Sequence, residues 1–266
     1  MHELDRIFEA ARRMKRGIVA TIVSTSGSTY RRAGACCVIS EEGEAVGTIS
    51  GGCLEKDLAA RCSEWLGTMQ PAVITYDSTR EDDIVFGLGL GCRGVIEVRV
   101  EPFDEEHPPH IEPVPRRSLV IYGGGADVEP LAQMADLVGM QAQIVRPRDI
   151  HPEQVAAPDT DAVVIMTHNY LYDLALLKTM LASDVEYIGL LGPSQRGREL
   201  LTEAGGDPAR VHNPAGLNVG GETPEEIALS IVAEIQAVLN KRDARPLREI
   251  EGPLHADVPR PGCRRI

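Results

Sequence analysis

The sequence predicts an α/β protein: an N-terminal α+β domain followed by a C-terminal Rossmann-like domain on a parallel sheet. Three observations carry this. Residues 104–117 hold four prolines and almost no apolar periodicity. Proline fixes φ and removes a donor, so the stretch reads as a linker. Before it, short β-rich runs succeed one another without regular helices between them. After it, apolar strands alternate with helices, as in parallel sheets with right-handed crossovers. The expected divisions are 1–103, the linker 104–117, 118–240 and a tail 241–266. At 266 residues the length suits one large domain or two of ~100–200 residues.

In the first half, Leu4, Ile7, Phe8 and Ala11 mark one face of a short helix. Strands are expected at Ile18–Ser24, Ala35–Ser40, Ala45–Ile49, Ala72–Tyr76 and Val95–Val100. A helix interrupts them at about Cys53–Leu66, where Leu54, Leu58, Cys62 and Leu66 recur every fourth residue as a buried stripe. In the second half, strands are expected at Ser118–Tyr122, Gln143–Val145, Ala162–Thr167 and Tyr187–Leu191. The intervening helices are placed at Val128–Val138, Asp173–Leu181 and near Arg196–Glu203. The last helix opens Thr223-Pro-Glu-Glu226, a capping box with proline at the first helical position. Ile227, Ile231, Ile235 and Val238 form its apolar face.

Composition narrows the partners. Lys+Arg number 27 against 40 Asp+Glu, a net charge of −13. That balance argues against nucleic acid, whose phosphates attract a basic face, and against an anionic membrane surface. No run approaches the ~20 apolar residues of a membrane span. The start Met1-His-Glu-Leu-Asp5 lacks the form of a signal peptide, so the chain reads as cytoplasmic, with reduced thiols. Apolar residues make up 43% and aromatics only 4%, which means an aliphatic core.

Two glycine clusters compete as ligand loops. Gly89-Leu-Gly91-Cys-Arg-Gly94 matches G-x-G-x-x-G literally, but a strand follows it instead of a helix, so it is not read as a dinucleotide fingerprint. Gly123-Gly124-Gly125-Ala-Asp127 ends a strand and opens a helix, a place where backbone N–H groups and the helix dipole favour an anion. The alternative there is a turn needed only for close packing. At the end of the second strand, where an acidic residue would bind a ribose 2′-OH, stands Arg146. Arginine there suits a 2′-phosphate or another phosphorylated ligand better than NAD.

The cysteines are 36, 37, 53, 62, 92 and 263. None lies in a C-x-x-C, so neither a structural zinc site nor a disulfide framework is expected. Cys53 follows Gly51 and Gly52 in the first turn of a helix, a position that favours thiolate. Cys62, on the apolar stripe of the same helix, should be buried and inert. Cys36 and Cys37 are adjacent in a strand and point to opposite faces, with at least one in the core. Cys92 lies beside Gly91 and Arg93 in a glycine loop and is the second candidate for a reactive thiol. Cys263 lies in the tail. The loop Ser24–Gly34, with Gly27, Ser28, Thr29, Arg31 and Arg32, carries amides, hydroxyls and guanidinium forks suited to a phosphate or polar heterocycle. A polar hairpin loop is its plain alternative. At the end of the third long strand of the second half, Thr167 and His168, with Asp173 nearby, are placed to bind a ligand or exchange a proton, or His168 simply caps the next helix. Gly189-Leu-Leu-Gly192-Pro ends the next strand on the same rim.

In order along the chain, Gly27-Ser-Thr-Tyr-Arg31 with Gly34, Ile49-Ser-Gly-Gly-Cys-Leu-Glu55, Gly87-Leu-Gly-Leu-Gly-Cys92, Met166-Thr-His168 with Asp173, Gly189-Leu-Leu-Gly-Pro193, Gly216–Ala228 and Gly252-Pro-Leu-His255 resemble the XdhC/CoxI family of xanthine dehydrogenase accessory factors. Each motif is weak alone, while the ordered set covers both halves. The resemblance implies a chaperone for molybdenum cofactor (molybdopterin), more than a catalyst. It would hold the cofactor during sulfuration by a cysteine desulfurase and deliver it to a xanthine dehydrogenase-type molybdenum hydroxylase, as a homodimer.

The cofactor-binding residues then expected are Gly27, Ser28, Thr29, Arg31, Gly51, Gly52, Cys53, Glu55, Gly91, Cys92, Gly123, Gly124, Gly125, Arg146, Thr167, His168, Asp173 and Gly192. Cys53 and Cys92 would be soft metal ligands or sulfur carriers. The alternative is an NAD(P)-dependent oxidoreductase, with Arg146 reading a 2′-phosphate and His168 as acid or base.

Overall fold

A computed structural model describes residues 2–78, 94–111, 116–151 and 157–250. The chain divides into two compact units, Met1–Val114 and Pro115–Ile250. Gly91, Cys92, Arg93, the ending Gly252–His255, Cys263 and part of the proline-rich stretch lie outside the described residues.

In the first unit, α1 (Glu3–Arg13) precedes β1 (Gly17–Gly27), β2 (Cys36–Ser40) and β3 (Ala45–Gly47). Then follow α2 (Cys53–Thr68), β4 (Ala72–Asp77) and β5 (Gly94–Phe103). The strands pair in the order β3-β2-β1-β5-β4, antiparallel throughout. Both faces of this sheet are covered. Ile18, Ala20, Cys37, Ile39 and Val98 face Leu54, Leu58, Cys62 and Leu66 of α2, so the predicted stripe is the buried one. Val19, Cys36, Val38 and Phe103 face Ile7, Ala10 and Ala11 of α1. Alternate side chains leave a strand on opposite faces, and here both faces are core, so all five residues of β2 are buried. Both Cys36 and Cys37 are therefore interior. A register shift between Ile22 and Ser24 against β5 marks a bulge, which re-aims the strand just before the polar loop.

In the second unit the order is β6 (Ser118–Gly123), α3 (Val128–Leu137), β7 (Gln141–Val145), β8 (Ala162–Met166) and α4 (Tyr170–Leu181). After these come β9 (Tyr187–Leu190), α5 (Ser194–Ala204), β10 (Val211–His212) and α6 (Pro224–Leu239). Its sheet is parallel in the order β10-β9-β8-β6-β7. Leu119, Ile121, Val164 and Met166 pack on α3 and α6. Val120, Val163, Ile165 and Ile188 pack on α4 and α5. A sheet sandwiched this way needs strands apolar on both sides, and β8 (Ala-Val-Val-Ile-Met) is buried at every position.

The capping box forms as expected: Glu226 N donates to Thr223 Oγ1, and Thr223 N to Glu226 Oε2 at 3.0 Å. Helix α4 starts three residues earlier than expected, because Asn169 accepts from Leu171 N and Tyr172 N and caps it. Strand order reverses at β6, which has β7 on one side and β8 on the other. The crevice beyond the carboxyl ends of such strands is where ligands bind in open parallel sheets.

Candidate functional site

The cysteine turn of the first unit is built around Glu55. This buried carboxylate accepts from Thr48 Oγ1 (2.8 Å), Ile49 N (2.7 Å) and Ser50 N (2.9 Å) on one oxygen. Its other oxygen accepts from Gly52 N (3.0 Å) and the Ser50 hydroxyl. Burial pushes the carboxyl up, but the hydrogen bonds from Ser50 and Thr48 outweigh it and hold the pKa at about 2. Glu55, one of the expected cofactor-binding residues, shapes the turn from inside, with both its oxygens hydrogen-bonded within it.

What the turn presents outward is glycine and thiol. Gly52 has φ +107°, a conformation that favours glycine. Among the described residues, a Cβ on Gly51 or Gly52 would meet nothing within 4 Å, so none of them covers the glycine face beside Cys53. Cys53 opens α2 and is half-buried, whereas Cys36, Cys37 and Cys62 are buried. Burial raises the Cys36 and Cys62 thiols, each to about 11. Cys62 is thus the inert cysteine expected, and Cys53 is the accessible one among the described cysteines.

Arg31 is committed to a partner the sequence did not suggest. Its Nη1 and Nη2 donate to the two carboxylate oxygens of Glu3 at 3.0 and 2.7 Å. The Glu3 carboxyl is pushed up by burial but lies below its ordinary value through Arg31 and a backbone bond from Thr48. Thr48 bonds Glu55 in turn. Arg31, Glu3, Thr48 and Glu55 therefore connect the loop 24–34 to the cysteine turn. Thr29 Oγ1 donates to Arg31 O at 3.0 Å, and Gly27 has φ +74°. A Cβ on Gly94 would lie 2.5 Å from Ser28 O, so the loop is held close to β5. Only proximity along the fold marks Glu3, and no local motif could have found it.

On the rim of the second unit, the three glycines have different tasks. A Cβ on Gly123 would collide with Met166 and Val128, at 2.7 and 2.9 Å, so Gly123 serves close packing. Gly124 and Gly125, with Arg146, Pro147, Arg148 and Thr167, line an open cleft of about 440 Å³. Arg146 is ion-paired with Glu129 in the first turn of α3, which lowers the Glu129 carboxyl.

Asp173 does not meet His168. It is fully buried and accepts from Thr167 Oγ1 at 2.5 Å and from Arg196 Nη2 at 2.6 Å. It thereby positions Thr167 beneath the cleft and joins the ends of β8 and β9. His168 has φ +58°, and its Nε2 stands 3.8 Å from Asp127 Oδ2. The cap of α4 is Asn169, so capping is not what His168 does. Gly192 (φ +138°) faces Arg196, whose Nη1 would lie 3.6 Å from a Cβ there. The structure thus gathers Gly124, Gly125, Arg146 and Thr167, sets Asp173 under them and adds Arg148, Asp127 and Arg196. Arg148 and Asp127 lay beside chosen residues in sequence; Arg196 stands three residues past Gly-Pro and carried no motif signal. Among the described residues no group of three His, Cys, Asp or Glu could hold a metal ion.

Comparison with known proteins matches residues 10–77 to the XdhC and CoxI family and residues 119–235 to the XdhC Rossmann domain. A relative from Bacillus subtilis, named as a probable subunit of xanthine dehydrogenase, is 29% identical over 87% of this chain and 95% of its own. Escherichia coli PaoD, named a molybdenum cofactor insertion chaperone, is 25% identical over 86% of each chain. A crystal structure described as a xanthine dehydrogenase from Bacillus halodurans superposes with a TM-score of 0.75. It is 27% identical, covering 92% of this chain and 97% of that one.

Proposed function

The chain belongs to the XdhC/CoxI family, and on that footing we propose that it is an accessory protein that binds molybdenum cofactor as cargo. It holds the cofactor while a terminal sulfido ligand is installed, with sulfur from a cysteine desulfurase, and passes it to a xanthine dehydrogenase-type molybdenum hydroxylase. The observation that carries this reading is the likeness to an insertion chaperone, which spans 86% of each chain and so reaches into both units. The residues suit such a cargo. Cys53 presents an accessible thiol beside a glycine face that no described residue covers, fit for a soft metal centre or a sulfur atom. Arg146 and Arg148 line a cleft fit for a phosphorylated pterin. A homodimer in the cytoplasm is part of the same proposal. Among the described residues no helix is long and apolar enough to cross a membrane.

The test is reconstitution of an apo molybdenum hydroxylase with purified cofactor, cysteine desulfurase and cysteine. Adding the chain should raise the active fraction several-fold, and Cys53→Ala should abolish most of the gain. Equal activation with and without the chain would overturn the proposal.

A further inference from the structure

Beside the second unit's cleft, at the start of α3, stands a charge pattern that the glycine turn alone does not explain; Asp127 adjoins Gly125, which lines the cleft. In dinucleotide-binding sheets the pyrophosphate rests on the N-terminus of the helix after the first strand, taking its free N–H groups and positive pole. In this chain that end of α3 already has two carboxylates beside it. Asp127 occupies the residue before the helix, where an aspartate ordinarily accepts from the helix N–H groups, yet its side chain makes no capping bond. It turns to His168, at 3.8 Å. Its Oδ1 stands 2.6 Å from where a Cβ on Gly125 would sit. Glu129, within the first turn, is held by Arg146. A pyrophosphate seated there would face Asp127 across Gly125 and would have to take Arg146 from Glu129.

The same carboxylate that opposes phosphate accepts donors. Paired N–H groups bind a carboxylate two at a time, as an arginine fork does, and the 2-amino and N3–H edge of a pterin offers such a pair. Arg148, which lines the cleft, is largely exposed and among the described residues has only the exposed Asp149 carboxylate at 3.7 Å from its Nε, so it can turn to a single anionic group on the ring's tail. We infer that this cleft selects a pterin with one anionic tail over a dinucleotide, and that Asp127 sets the preference. The inference rests on the pterin cargo proposed above and assigns its recognition to the second unit.

The full chain is titrated with 6-carboxypterin and with NADPH, following ligand fluorescence. Wild type should bind the pterin at least tenfold more tightly than NADPH. Asp127→Asn, which removes charge without removing a helix cap, should narrow that ratio at least tenfold. A wild-type ratio near or below one, an unchanged ratio in Asp127→Asn, or binding of neither probe overturns the inference. If Asp127→Asn folds poorly, Arg148→Ala at an exposed position should weaken the pterin at least fivefold, and unchanged affinity overturns the assignment. Molybdenum cofactor bound equally well by wild type and Asp127→Asn would sink this inference while leaving the proposed function standing. Absence of cofactor binding in both would sink the proposed function.

Discussion

The two glycine turns of this chain treat their polar groups in opposite ways. Around Ser50–Glu55 the backbone donors are turned inward onto one buried carboxylate, with glycine faces and the Cys53 thiol outward. Around Gly124–Gly125 the charged groups stand beside an open cleft and are partly exposed, Arg146 paired with Glu129 and Asp127 turned to His168. On the function proposed above, the first would mount one reactive atom and the second would recognise the ligand. Buried polar networks are costly when broken and surface pairs are not, so stability losses should follow burial: large at Glu55 in the first turn and at Asp173 beneath the second, small at the exposed groups of either.

The largest effect is expected at Glu55. Glu55→Ala leaves several buried donors unpaired, each costing ~1–3 kcal/mol, and should destabilise the chain by ~3 kcal/mol or more in urea unfolding. A loss under ~1 kcal/mol would mean the turn does not depend on this carboxylate. Next comes Asp173→Ala, which strands Arg196 and the Thr167 hydroxyl. Breaking a buried pair costs ~3–5 kcal/mol, and the partial exposure of Arg196 places the expectation near ~3 kcal/mol.

Acid should act on the same turn. The Glu55 carboxyl titrates at about 2 when folded and near ~4.3 when unfolded. Its contribution is therefore complete above the unfolded value and is lost as pH falls toward 2. Glu55→Gln should flatten that part of the acid-unfolding profile, and an unchanged profile would contradict the assignment. The smallest stability effect belongs to Cys53→Ala. At a half-buried helix start it should change stability by less than ~0.5 kcal/mol while reducing cofactor retention several-fold. A large stability loss would recast Cys53 as a packing residue.

The architecture was legible because apolar periodicity reports burial. The four-residue stripe of α2 and the uninterrupted apolar run of β8 each named their surroundings correctly. Element ends were less so, as at α4, where Asn169 looks like any loop polar residue until its two N–H partners are seen. Positions in the candidate sites were legible where glycine or cysteine stood next to a strand end. Their partners were not. Glu3 reaches Arg31 across 28 positions, and Arg196 reaches Asp173 across 23. Such pairs form only once the sheets bring distant segments together. For the same reason the sequence placed His168 with Asp173, five residues apart, whereas the helix start turns their side chains to different neighbours.

Binding of molybdenum cofactor by the purified full chain tests the account most directly. Cofactor released from a molybdoenzyme is mixed with the chain, free and bound fractions are separated by ultrafiltration, and the retained pterin is quantified by fluorescence after oxidation. The account predicts saturable retention approaching one cofactor per chain, weakened several-fold by Cys53→Ala. No retention of the cofactor, in either its oxo or its sulfido form, would contradict it.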